Sequence, residues 1–504
     1  PYALRTMRRT SRLVLWCSCC LAVLAGCAAD SGVTASEAQH SDVTFDPTED
    51  PFGWTPFGDH IEIGTFTAPI DYADPSKGNF QLNVARHLAL KPDERIGSLL
   101  VNPGGPGFGG TDFALFAEAN FGQSLLDHFD IVAWDPRGTA KSEPKIDCFS
   151  DYDHFFASSD ITPDNAEERQ ALIDLAKESA GDCIDKNRGF YQYVGTNNSA
   201  RDMDGIRAAL GEAKISYLGF SYGSELGATW ATLFPGTVRA AVFDGAVDPT
   251  AGGTESDVQQ LKGFEDSLTT FLSTCDSEPK CAFNNEGDAE GAFDRLMDKI
   301  DATPIPSSNH RPPVSNEVAL TAVGQAMYSD KLWPRLAKAL ADAQAGDGSG
   351  MLSLYDDYYE RQPNGTYADS LEAFQVISCM DTAQRLTVEQ DDATVPELQA
   401  AAPRMARRSV GDYGCTFYPP SLDPRIEITG KGAGPILVMG TTGDPATPLE
   451  GTRKMADVLE DGRLVVVEGN QHTGYGANEC STSTVDNYLV DPVGHLPPEG
   501  LVCK

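Results

Sequence analysis

Ser221 stands at the centre of Gly219-Phe220-Ser221-Tyr222-Gly223. A short β-prone run, Ile215-Ser216-Tyr217-Leu218, precedes it, and a helical pattern over residues 224–234 follows, closed by Pro235-Gly236. Strand, tight turn and helix around G-x-S-x-G put a serine hydroxyl at the tip of a sharp turn, where it can attack a carbonyl carbon. A serine hydroxyl is a weak nucleophile. It needs a base, and the base needs an acid to fix its tautomer. Of eight histidines, only His310, His472 and His495 follow the serine. His310 lies in a Pro/Ser-rich loop and His495 in a Pro-rich tail. His472 lies in Gly469-Asn470-Gln471-His472-Thr473-Gly474-Tyr475-Gly476, after the last apolar run of the chain. A serine elbow of this kind is followed in the chain by its acid and then its histidine, so His472 is the candidate base. The candidate acid is Asp444, in Gly443-Asp444-Pro445-Ala446-Thr447-Pro448 directly after the apolar run 435–439. Asp244 and Asp248, after the run 238–243, are the alternatives.

Acyl transfer through a serine also requires backbone N–H groups aimed at the developing oxyanion. One candidate is the N–H of Tyr222, directly after the nucleophile. The other is that of Gly105, in Asn102-Pro103-Gly104-Gly105-Pro106-Gly107-Phe108-Gly109-Gly110, where paired glycines allow close backbone approach. No Gly-Lys-Ser/Thr follows these glycines, so they do not form a phosphate-binding loop.

The elements that must hold these residues are legible as apolar runs. Residues 60–69 and 80–88 alternate and are joined by Asp74-Pro75-Ser76-Lys77-Gly78, a turn. Further runs at 97–101, 129–134, 215–219, 238–243, 435–439 and 463–467 are separated by helical patterns. Continuous apolar strands between helices predict an α/β fold with a mostly parallel eight-stranded sheet covered on both faces. Between the sixth and seventh runs, amphipathic helices are expected at 255–274, 292–302, 317–329, 331–345 and 369–381. They form a helical cap inserted in the core, over the site. The domains are then 46–250 and 421–504 for the core and 251–420 for the cap.

Net charge is −36 and no basic patch is visible, which argues against nucleic acid as a partner. Met7-Arg8-Arg9-Thr10-Ser11-Arg12 followed by an apolar stretch ending in Leu24-Ala25-Gly26-Cys27 reads as an export signal over 1–26. A cysteine directly after small residues is the site at which a bacterial lipoprotein is lipidated, so Cys27 is expected to anchor the chain to a membrane. Residues 27–45, small and polar, are a flexible tether. Eight cysteines remain, an even number in an exported chain, which implies disulfides. They admit on the order of a hundred pairings. Sequence neighbours give the simplest one: Cys148–Cys183, Cys275–Cys281, Cys379–Cys415 and Cys480–Cys503. No Cys/His cluster has zinc spacing, and neither metal nor cofactor is expected.

Four motifs together carry a resemblance. Asn-Pro-Gly-Gly-Pro-Gly at 102–107, Asp-Pro-Arg-Gly-x-x-x-Ser at 135–142, Gly-Phe-Ser-Tyr-Gly, and Gly-Asp-Pro-Ala-Thr-Pro resemble the secreted tripeptidyl-aminopeptidase-like α/β-hydrolases of actinobacteria. These are relatives of prolyl aminopeptidase, and they include mycobacterial envelope lipoproteins called both carboxylesterases and serine proteases. The approach to the elbow, Thr196-x-x-x-Ala200-x-Asp202, is also similar, and the resemblance spans nearly the whole mature chain. Pro103 departs from the pattern, since prolyl aminopeptidases have histidine there. The resemblance implies Ser221, Asp444 and His472 as a triad, with Gly105 and Tyr222 as oxyanion donors. It also implies a peptide or protein substrate cleaved from a free N-terminus, with a carboxylate to hold the substrate amine. Glu225 and Asp381 are the candidates for that carboxylate, against the alternative that each is a structural group. A carboxylesterase acting on lipid or small esters is the first rival reading. A non-catalytic envelope binding protein is the second, against which an intact triad argues.

Overall fold

The computed structural model describes residues 50–307 and 311–504. The export signal, the tether, Cys27 and His310 lie outside the described residues. Ten strands form one sheet: β1 (Thr55–Gly58), β2 (Ile61–Pro69), β3 (Asn79–His87), β4 (Gly97–Asn102), β5 (Phe129–Trp134), β6 (Ile215–Phe220), β7 (Val238–Asp244), β8 (Ile436–Thr441), β9 (Gly462–Val467) and β10 (Leu501–Cys503). Their order is β1-β2-β3-β5-β4-β6-β7-β8-β9-β10. The pairs from β1 to β5 along this order are antiparallel, and every pair from β5 to β10 is parallel.

The expected eight strands form the middle of the sheet, and the count is corrected to ten by one short strand at each edge. Four-residue β1 has no buried residue, and three-residue β10 is tied down by the Cys480–Cys503 disulfide. Neither is long enough to produce a period-two signal. In the central strands every residue of β4, β5, β6 and β8 is buried. Alternate side chains of these strands and of β7 feed two separate cores: Leu100, Val132, Tyr217 and Phe243 on one face, Leu99, Val101, Leu218 and Val242 on the other. Burial on both faces is why these strands read as continuous apolar runs.

The segment between β7 and β8 forms a helical layer with its own core, built on Phe271, Phe293, Val323, Leu340 and Tyr355. The five expected helices are present at Gly253–Ser277, Ala289–Ala302, Asn316–Met327, Trp333–Gln344 and Ser370–Asp381. Three more, Ser349–Tyr358, Val388–Asp392 and Val395–Ala401, complete it. Tyr152 and Ala157, from the stretch after β5, are buried in the same core. All eight cysteines of the described residues are paired: Cys148–Cys183, Cys275–Cys281, Cys379–Cys415 and Cys480–Cys503.

The Asp-Pro-Arg-Gly motif after β5 is scaffolding. Arg137 is wholly buried; its Nε donates to Asp202 at 2.7 Å and its Nη1 to the carbonyls of Ile70 and Tyr193 at 3.0 Å. Asp202 is the last residue of the Thr-x-x-x-Ala-x-Asp approach, so two of the four-plus-one motifs meet in one ion pair. Asp135 accepts from the Thr111 N–H and hydroxyl, both at 3.0 Å, and so pins the far end of the glycine loop that follows β4.

Candidate active site

The helix Tyr222–Leu233 starts immediately after β6, and Ser221 is the residue between them. The chain must reverse there within one residue, and Ser221 takes φ 54° and ψ −125° to do it. Such a conformation in a non-glycine residue costs on the order of 1–3 kcal/mol and persists only where its surroundings enforce it. They do: the Ser221 N–H donates to the Asp244 carbonyl at 2.8 Å, and its carbonyl accepts from the Ser224 N–H at 2.8 Å. The flanking glycines are there for space. A Cβ on Gly219 would run into the Gly223 carbonyl, and one on Gly223 would sit 2.9 Å from the Asn102 carbonyl oxygen.

His472 and Asp444 are brought together from the loops after β9 and β8. His472 Nδ1 lies 2.8 and 3.0 Å from the two carboxylate oxygens of Asp444. That carboxylate is fully buried and further held by N–H groups of Ala446 at 3.0 Å, Thr447 at 2.8 Å and Thr473 at 3.2 Å. The Asp-x-x-Thr-Pro turn is thus the device that aims it. Burial opposes a charge on His472, but attraction and hydrogen bonding from Asp444, with a smaller contribution from Asp244, outweigh it and raise its pKa above the ordinary histidine value. His472 Nε2 is buried and has no hydrogen-bond partner among the described residues. No hydrogen bond joins it to Ser221 Oγ, a bond that commonly tightens only with substrate in place.

Asp244, an alternative acid, has a different task. Its Oδ1 accepts from Gly474 N and its Oδ2 from Tyr475 N, both at 2.7 Å. One residue at the end of β7 therefore ties down the nucleophile through its carbonyl and the histidine loop through its carboxylate. Burial pushes that carboxyl up to about 6, against the two N–H bonds. Asp248 is bonded to Thr250 and Gln259.

The glycine loop after β4 lies against the elbow. A Cβ on Gly104, which has φ 101°, would stand 2.9 Å from Ser221 Cβ and 3.2 Å from Tyr222 N. Gly104 N–H is used by Asn102 Oδ1 at 2.9 Å. The N–H of Gly105 has no partner among the described residues, and that of Tyr222 is the first of its helix, where no intrahelical acceptor exists.

The two carboxylates proposed for a substrate amine both have internal partners. Glu225 is ion-paired with Arg425. Asp381 is buried; its Oδ1 accepts from Thr196 N at 2.7 Å and its Oδ2 from Thr196 Oγ1 at 2.6 Å. Burial, reinforced by the negative charge of Glu225, pushes Asp381 up to about 7. Thr196 Oγ1 also lies 2.6 Å from the Tyr222 hydroxyl. In the chain Thr196 stands in a motif without an evident role, and Arg425 and Tyr328 carry no motif at all. The Tyr328 carbonyl accepts from His472 N at 3.0 Å, and its ring meets the His472 ring edge-on with centroids 5.5 Å apart. Its signal, a residue in line with polar positions on a cap helix, is visible only once the helix face is known.

Serine protease Hip1 of Mycobacterium tuberculosis is 34% identical over 482 residues, covering 90% of this chain and 91% of that protein. Carboxylesterase B of the same organism is 33% identical, covering 87% and 85%. Tripeptidyl aminopeptidase of Streptomyces coelicolor is 28% identical, covering 85% and 81%. The sequence profile of the alpha/beta hydrolase fold matches residues 97–478, from the start of β4 to just beyond the His472 loop, and the chain belongs to that family.

Proposed function

We propose that this chain is an exported serine peptidase that releases short peptides from free N-termini. The observation that carries the reading is the buried Asp444–His472 pair beside a serine held at positive φ. Ser221 Oγ attacks the scissile carbonyl, and His472 Nε2 takes its proton. Asp444 holds the tautomer with the proton on Nδ1 and stabilises the imidazolium. The oxyanion meets the N–H groups of Gly105 and Tyr222. His472 then protonates the leaving amine, and water, deprotonated by the same nitrogen, releases the acyl group. The names of two relatives, a serine protease and a tripeptidyl aminopeptidase, favour peptides. That of carboxylesterase B supports the ester reading as second.

A free α-ammonium needs a carboxylate with no cation of its own, and Glu317 meets that need better than Glu225 or Asp381. Among the described residues it has no cationic partner; it accepts from Thr321 Oγ1 at 3.1 Å, and burial pushes it up to about 7. Glu317, Thr321 and Tyr328 share one face of the cap helix Asn316–Met327 and its continuation, and Tyr328 abuts His472. The rise from Glu317 to Tyr328 is roughly 16 Å.

Export and lipid anchoring through Cys27 are part of the proposal. The basic and apolar leader supports them, and so do four disulfides, which persist in oxidising compartments. The test compares one tripeptide amide, free and N-acetylated, and a p-nitrophenyl ester on wild type, Ser221→Ala and Glu317→Gln. Ser221→Ala should lose all three activities. Acetylation should lower kcat/KM by about 10- to 150-fold through loss of a charge-assisted bond worth about 1.5–3 kcal/mol. Glu317→Gln should remove that difference and spare the ester. Equal cleavage of free and acetylated peptide would overturn the exopeptidase reading, and turnover of the ester alone would favour the carboxylesterase.

A further inference from the structure

We infer that a single cap helix, Ser370–Asp381, sets the geometry of both halves of the oxyanion hole, with Thr196 and Asp381 as positioning residues; this rests on the acyl-transfer reading above. The two N–H donors come from different elements, the glycine loop after β4 and the start of the elbow helix. The loop touches the N-terminal end of the cap helix directly, and the elbow helix is joined to its C-terminal end through Thr196. At its N-terminal end, Gly107 of the loop packs so closely that an added Cβ would meet the Ser370 carbonyl and the Phe374 backbone nitrogen. At its C-terminal end, Asp381 holds Thr196 by both N–H and hydroxyl, and Thr196 Oγ1 meets the Tyr222 hydroxyl at 2.6 Å. Tyr222 is thereby fixed at its backbone by the elbow and at its phenol by this chain of bonds. A residue pinned at both ends cannot tilt its peptide N–H away from the reacting carbonyl.

The helix is itself held against movement. Glu372, on its first turn, accepts from the N–H groups of Cys148 and, at 3.3 Å, Phe149 in the core. Cys379, on its last turn, is bonded to Cys415. The Asp381 carbonyl accepts from Arg425 N at 3.0 Å, and the Arg425 side chain pairs with Glu225 on the elbow helix. The bonds form a closed ring, from Asp381 through Thr196 and Tyr222 along the elbow helix to Glu225, and through Arg425 back to Asp381. The cap then does two jobs: it covers the cleft, and it aligns the donors that stabilise the transition state. A misplacement of about 1 Å in such donors costs on the order of a hundredfold in rate.

The experiment measures kcat and KM on a p-nitrophenyl ester and inhibition by a peptidyl trifluoromethyl ketone, whose hemiketal oxygen occupies the oxyanion position. The proteins are wild type, Thr196→Val, Thr196→Ser, Tyr222→Phe and the Thr196→Val/Tyr222→Phe double variant. Thr196→Val and Tyr222→Phe should each lower kcat by about 10- to 100-fold with KM within about twofold, and weaken the ketone by the same factor. Thr196→Ser should restore both, and the double variant should be no worse than the worse single one. Wild-type kcat and ketone affinity in Tyr222→Phe, which loses one oxygen and keeps its fold, would overturn the inference even if Thr196→Val failed to fold. Additive losses would overturn it too. Full activity in Ser221→Ala would instead refute the acyl-transfer reading beneath it.

Discussion

Replacing Asp444 by asparagine separates orientation of the base from everything else in the site. The change keeps size and leaves one oxygen to accept from the Ala446 and Thr447 N–H groups that now hold Oδ1 at 3.0 and 2.8 Å. The amide nitrogen then replaces Oδ2, which today accepts from Thr473 N and lies 3.0 Å from His472 Nδ1. An NH2 at that place faces Nδ1 and competes with the 2.8 Å Nδ1–H···Oδ1 bond, which favours the tautomer carrying its proton on Nε2. The nitrogen that should take the serine proton is then blocked. The expected loss is about 10²–10⁴ in kcat, or about 3–5 kcal/mol of transition-state stabilisation. KM should stay within a few-fold, because Asp444 is buried and touches no substrate. The control is Asp244→Asn. It disturbs the N–H groups of Gly474 and Tyr475, so it should lower Tm and reduce kcat far less than Asp444→Asn does. The assay is steady-state turnover of a free tripeptide amide, with circular dichroism to establish folding. A folded Asp444→Asn protein within about fivefold of wild-type kcat would refute the triad. So would an Asp244→Asn protein that folds normally and is the more crippled of the two.

The raised pKa of His472 sets the acid limb of activity: the base works only when neutral, so kcat/KM should fall as pH drops through a value above that of an ordinary histidine, which a pH profile at constant ionic strength reads directly. Asp381 and Glu317 are carboxyls whose folded-state values are raised to about 7. Each contributes stability that is full below the ordinary carboxylate range and is lost as pH rises through about 7, so Tm should fall between pH 5 and pH 8, and less steeply in Asp381→Asn. Arg137→Met should lower stability by about 3–5 kcal/mol in urea unfolding, because it leaves the Asp202 carboxylate buried without its cation, whereas a change under about 1 kcal/mol would deny the pair that role. Cys27→Ser should move the protein from the membrane fraction to the soluble one or leave it unprocessed; unchanged processing and membrane association would rule out the lipid anchor.

Much of this protein is local in its physics and therefore visible in the chain. A strand buried on both faces must be apolar throughout, so β4, β5, β6 and β8 stand out as continuous runs, while β2 and β3, buried on one face, show as alternation. An elbow that reverses within one residue needs small residues on either side, so Gly219 and Gly223 mark Ser221. The loop order after the serine leaves His472 and Asp444 as the simplest base and acid, and the structure places Nδ1 and Oδ1 2.8 Å apart. The edge strands were not legible, since three or four residues paired on one side carry no periodicity of their own. What Asp244, Glu225, Asp381 and Glu317 do was not legible either. A carboxylate's role depends on its partner, and these partners lie far along the chain: Gly474 for Asp244, Arg425 for Glu225, Thr196 for Asp381. Glu317 differs because no cation reaches it among the described residues. The sequence alone determined which residues could react and in what order they come. Only the tertiary structure decided which acid faces the histidine, which carboxylates are already spoken for, and that one cap helix touches both sides of the site, because long-range contacts leave no period and no fixed spacing in the chain.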